Sequence, residues 1–95
     1  MDIESIRHKA LRRFARTGLA KGLPADSVDR LRNLLVYLAA IDAVEELRIP
    51  PNFGAHQLAG DRKGQWALTV TRNWRMTFQI NAAGAIEDMD LEDYH

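Results

Sequence analysis

The chain has 95 residues, 46% hydrophobic and 27% charged, with a formal net charge of zero. That suits a soluble globular protein with one modest core, and predicts a single domain over residues 1–95. There is no cysteine, which excludes disulfides and thiolate chemistry. The longest apolar run, Leu34 to Ile41, falls far short of the roughly 20 residues that span a bilayer.

The start Met1-Asp2-Ile3-Glu4 has no basic flank leading into an apolar run, so no signal peptide and no membrane are expected, and the cytoplasm is the expected compartment. Residues 2–6 fit a short strand anchored by Ile3. From Arg7 the pattern becomes helical: Ala10, Leu11, Phe14 and Ala15 line one side, and Lys9, Arg12, Arg13 and Arg16 the rest. Gly18 can take the left-handed conformation that ends such a helix. Pro24 and Asp26 suit the first turn of a second helix, whose apolar stripe is Val28, Leu31, Leu34, Leu35 and Leu38. Residues 43–49 fit a further short turn of helix, stopped by Pro50-Pro51.

The second half reads as strands. Residues 53–58 form one, and Gly60-Asp61-Arg62-Lys63-Gly64 is a polar turn. Trp66, Leu68 and Val70, then Trp74, Met76, Phe78 and Ile80, alternate on one face of an antiparallel hairpin. Its other face shows Thr69, Thr71, Arg75, Thr77 and Gln79. Asn81 to Gly84 is a second turn. A last strand from Ala85 to about Leu91 alternates poorly, because Glu87 shares a face with Met89 and Leu91, so an edge or a partly exposed strand is expected. The fold class is therefore α+β, with two N-terminal helices covering the tryptophan face of a small, mainly antiparallel sheet.

Charge is unevenly spread. Arg7, Lys9, Arg12, Arg13, Arg16, Lys21, Arg30 and Arg32 crowd the first third; Glu87, Asp88, Asp90, Glu92 and Asp93 crowd the end. Such asymmetry suits a polyanionic or acidic partner near the basic part, or simply a solvated helix face. His8, His56 and His95 give no pair at ligand spacing on one element, so no metal and no small-molecule cofactor are expected. Asp93-Tyr94-His95 sets an acid, a phenol and an imidazole side by side, a grouping able to transfer protons, or a plain polar end. Arg75 could hold a phosphate or pack through its methylenes.

Four stretches in this order resemble one family: Ile6-Arg7-His8-Lys9-Ala10-Leu11, His56-Gln57-Leu58-Ala59-Gly60-Asp61-Arg62-Lys63-Gly64, Asn73-Trp74-Arg75-Met76-Thr77-Phe78 and Glu92-Asp93-Tyr94-His95. The chain resembles, over essentially its whole length, the HigB-type killer toxins of bacterial toxin–antitoxin modules, within the RelE/ParE superfamily. The resemblance implies two helices on a small sheet, cleavage of mRNA in the decoding site of the 70S ribosome, and a helix-turn-helix, HigA-like antitoxin partner. It implies His56, Asp93, Tyr94 and His95 as catalytic positions: His95 and Asp93 for proton transfer, and Tyr94 to orient or stack on a base. Arg75 would bind the scissile phosphate, with Arg62 and Lys63 close by, and the basic helix with Arg12 and Arg13 would meet ribosomal RNA. One position departs. The family's His-Xaa-Leu-Lys-Gly stretch carries Ala59 here in place of the lysine, a loss of phosphate charge stabilisation worth roughly a hundredfold in rate. The second reading is a binding member of the same fold that does not cleave, and that acts on DNA gyrase or serves only as an antitoxin partner.

Overall fold

In the computed structural model, which describes residues 1–93, the first helix begins where a side chain can close it. The His8 ring Nδ1 accepts the backbone N–H of Leu11 at 3.1 Å, and helix α1 runs over Lys9–Thr17. It ends at Gly18, whose φ of 79° is the left-handed value expected there and whose N–H reaches the Phe14 carbonyl at 2.8 Å. A 3₁₀ turn, Ala25–Ser27, leads into helix α2, Val28–Ala40, and a second one, Val44–Arg48, follows it.

Four strands follow, β1 His56–Gln57, β2 Trp66–Thr69, β3 Trp74–Ile80 and β4 Ile86–Asp93, in the spatial order β1-β2-β3-β4, each antiparallel to its neighbour. Leu11 and Phe14 of α1 and Leu31, Leu34 and Leu38 of α2 join Trp66, Leu68, Met76, Phe78, Met89 and Leu91 in one buried cluster. The helices thus cover the tryptophan face. Burial of this apolar surface is the main force holding the layers together. Arg30 of α2 pins the loop that precedes β1. Its guanidinium donates to the Thr69 carbonyl at 2.9 Å and the Asn52 carbonyl at 2.6 Å, and lies 5.2 Å from the Phe53 ring centroid. No helix among the described residues is long and apolar enough to cross a membrane.

Three strand expectations are modified. The strand expected over residues 53–58 has a regular ladder only at His56–Gln57, because Gly54 turns to φ +58° just before it. The last strand is the outer one of the four and partly exposed, as expected, but its outer side is not bare. Residues 3–6 run parallel along it, through bridges Ile3 to Ile86 and Ile6 to Met89, and Arg7 N–H reaches the Met89 carbonyl at 2.6 Å. Its poor alternation is resolved by a bulge: two residue steps on β3, Thr77 to Gln79, face three on β4, Asp90 to Glu87. Asp88 takes φ 55° there and its N–H is accepted by Ser5 Oγ at 2.8 Å. Finally, the sheet face opposite the tryptophans is not an open hydroxyl surface. Thr77 is only 2% exposed on it.

Candidate active site

Cross-strand register decides which side chains share that second face. One row across the sheet reads His56, Ala67, Thr77, Asp90, and the next reads Thr69, Arg75, Glu92. Because side chains alternate along a strand, all of these lie on the face away from the helices. His56 and Arg75 are two strands and one row apart. That is about 12 Å between their backbones, a span that a histidine and an arginine can share over one phosphate.

His56 is exposed, and its ring Nδ1 lies 2.9 Å from the Gly54 carbonyl. A carbonyl only accepts, so Nδ1 carries a proton, and whenever the ring is neutral Nε2 is the bare nitrogen. That tautomer is the one a general base needs. Gly54 makes it possible, since its carbonyl reaches back only because the backbone there is left-handed and close to Thr69.

The centre of the face is Glu92, which the sequence marks out only as part of the acidic end and as the neighbour of Asp93-Tyr94-His95. Its carboxylate accepts from Arg62 Nη1 at 2.8 Å, from Arg62 Nη2, from Arg75 Nη2 at 3.2 Å and from Thr77 Oγ1 at 2.6 Å. Arg62 also donates Nε to Gln65 Oε1 at 2.9 Å, which ties the loop between β1 and β2 to the cluster. The hydrogen bonds from Arg62 hold the Glu92 carboxyl down at about 2 against the opposing effect of burial, with Thr77 and Arg75 adding to the depression. The same contact pushes the Arg62 guanidinium up. Glu92 is therefore ionised at any physiological pH. The signal that could have found it is geometric: counting back from the Asn81–Gly84 turn sets Glu92 beside Arg75, but only once the bulge is included.

The other expected site residues scatter. Lys63 is exposed at the end of the 3₁₀ turn Gly60–Arg62. Ala59 is exposed beside it, and the fork of Arg62 is engaged by Glu92. Asp93 pairs with Trp74, so alternation sets it on the helix side of the sheet, away from His56. Tyr94 and His95 lie outside the described residues. Arg12 donates to the Ile6 carbonyl at 3.0 Å and Arg13 to the Lys21 carbonyl at 3.1 Å. With Lys9 and Arg16 they border a shallow cavity of about 340 Å³ on α1. The sheet separates them from His56 and Arg75, so the basic helix and the polar face are two distinct surfaces.

The face thus combines a bare imidazole nitrogen, two guanidiniums and a saturated carboxylate, an arrangement suited to an anionic ester and the removal of a proton beside it. The fold is that of YafQ from E. coli strain BL21(DE3), with a TM-score of 0.66 at 16% identity, covering 98% of this chain and 92% of that one. It is also that of the YoeB/ParE toxin from Agrobacterium tumefaciens, with a TM-score of 0.59 at 15% identity over 100% of both. The Endoribonuclease HigB of Proteus vulgaris is 39% identical over 94 residues, 98% of this chain and 99% of that protein. Residues 4–95 match the family described as the RelE-like toxin of type II toxin-antitoxin system HigB. The chain belongs to the HigB family of RelE-like toxins of type II toxin–antitoxin systems.

Proposed function

We propose that the chain is an endoribonuclease that cuts messenger RNA on the ribosome and so stops translation in the cytoplasm. The observation that carries this reading is the shared sheet face: His56, with Nε2 bare, stands in register with the row next to Arg75 and Glu92. The similarity to Endoribonuclease HigB of Proteus vulgaris supports it.

The reaction is a transfer to a neighbouring oxygen. His56 Nε2 takes the proton of a ribose 2′-hydroxyl, and the oxygen attacks the adjacent phosphorus. Arg75 stabilises the charge that develops on the phosphate oxygens. An acid protonates the departing 5′-oxygen, leaving a cyclic phosphate and a free 5′-hydroxyl. Only RNA offers that 2′-hydroxyl. The resemblance implies His95 and Asp93 for proton transfer and Tyr94 to orient or stack on a base; of the two, His95 is the acid in this reading, because Asp93 pairs with Trp74 on the side away from His56. The drawn steps use side chains and no metal.

A type II toxin has an antitoxin partner. We propose a HigA-like helix-turn-helix protein in that role, and ribosomal RNA as the polyanion met by Arg12 and Arg13. One observation favours the second reading, a binding member that does not cleave: Ala59 stands where the family has a lysine, and Arg62 is committed elsewhere. The deciding experiment is reconstituted translation of a defined message, with RNA ends mapped by primer extension. New ends that require both ribosomes and His95 (absent for His95→Ala) support the nuclease. Intact message with folded protein supports the binding role.

A further inference from the structure

Glu92 touches both arginines of the face, yet the cleavage steps give it no proton to move. A carboxylate has about four acceptor positions, and all four are taken, by Arg62 twice, Arg75 and Thr77. A substrate phosphate therefore gains nothing by displacing it: it would have to leave an ionised carboxylate unpaired beside a new anion. Glu92 stays in place when phosphate arrives, and Arg75 meets the phosphate while still tethered.

We propose that Glu92 is a positioning residue that aims the Arg75 guanidinium at the scissile phosphate, with Arg62 and Thr77 as its braces. An arginine side chain has many rotamers, and a planar fork helps a phosphate only in the right orientation. Glu92 lies directly across from Arg75 in the β3–β4 register, so the tether is short and set by the backbone. Three separate segments meet at the carboxylate. Arg62 comes from the loop before β2 and is itself fixed by Gln65, Thr77 comes from β3, and Glu92 from β4. Thr77 is nearly without solvent contact, which keeps the brace from being replaced by water. The inference rests on the reading of Arg75 as the phosphate ligand.

The test is single-turnover cleavage by the full chain on programmed ribosomes, for wild type, Glu92→Gln, Arg75→Ala and the two combined. A glutamine keeps the shape but points an N–H₂ at donors, so the tether fails. The expected result is a fall of about ten- to a hundredfold in the cleavage rate for Glu92→Gln, with half-saturating ribosome concentration shifted less than about threefold. In the Arg75→Ala background the same change has no further effect, because the residue it positions is gone. Arg62→Gln, which weakens the brace and leaves Glu92 charged, gives a smaller fall that also vanishes in that background, and it replaces Glu92→Gln if the latter does not fold. Additive losses overturn the proposal, and so does faster cleavage by Glu92→Gln, which would make the carboxylate a competitor of phosphate. Arg75→Ala cleaving at the wild-type rate overturns the phosphate reading itself, whereas a failed cycle with slow Arg75→Ala overturns only the role of Glu92.

Discussion

The Gly54 carbonyl accepts from His56 Nδ1 at 2.9 Å. Gly54 can do so because it has no side chain: a Cβ at its φ of +58° would stand 2.7 Å from Thr69 Oγ1. Gly54→Ala is therefore expected to cost about 1–2 kcal/mol of stability from the left-handed backbone alone, more if Thr69 cannot turn away. It also shifts the carbonyl that sets the histidine tautomer. Urea denaturation beside a cleavage assay checks this. The expected pattern is a rate loss larger than the loss of folded protein, and a proportional loss would confine Gly54 to a structural role.

Glu92 predicts the shape of acid unfolding. Its carboxyl is held at about 2 in the folded chain, against an ordinary value of 4.5. A lowered folded value means its stabilisation is complete above about pH 4.5 and is lost as pH falls toward 2. Wild type should thus lose stability more steeply than Glu92→Gln across that window, and the two should run parallel at neutral pH. Denaturant melts at stepped pH give both slopes, and parallel acid limbs would show that the Arg62 contact contributes nothing to folding.

Ala59 is exposed and its backbone is extended (φ −108°, ψ 177°), so a lysine fits there without strain. If phosphate charge limits cleavage, Ala59→Lys should raise the rate at least about tenfold, within the few kcal/mol that one such donor supplies. A rate unchanged by the new cation would mean that Arg75 already meets the need. No cleavage by either form points to the binding role.

The basic surface of α1 lies across the sheet from His56, so it should affect docking and not the chemical step. Arg12→Ala and Arg13→Ala are each expected to flatten the dependence of log affinity for ribosomes on log salt by roughly one unit per lost phosphate contact. The cleavage rate of bound message should hold. Filter binding at several salt concentrations measures the slope, and an unchanged slope would assign these residues to a solvated face. Arg12→Ala also removes a hydrogen bond to the Ile6 carbonyl, so its stability should be measured alongside.

Local pattern carried much of the fold. Alternation at Trp66, Leu68, Val70 and at Trp74, Met76, Phe78 marked both strands of the hairpin, because a period of two is written in consecutive residues. The αL stop at Gly18 was equally local. What escaped was non-local. The bulge at Asp88 exists only relative to β3, and the hydroxyl that satisfies it belongs to Ser5. The resemblance supplied His56 and Arg75, and the structure places both on one face. Glu92 was hidden for the same reason as the bulge. Its partners Arg75 and Arg62 stand 17 and 30 residues away, and no spacing rule links an acidic tail to a turn that far upstream.

The strip formed by residues 3–6 along β4 sets an order of assembly. The helices and the hairpin close through short stretches of chain, but Ile3 meets Ile86 only after everything between them has been brought together. Loop-closure entropy makes such long-range pairing late and slow relative to local contacts. β4 is also the strand that delivers Glu92 to the polar face. Because β4 pairs with β3 directly across the Asn81–Gly84 turn, Glu92 meets Arg75 by local closure, and the strip of residues 3–6 then seals the outer side of β4 as the last seam to close.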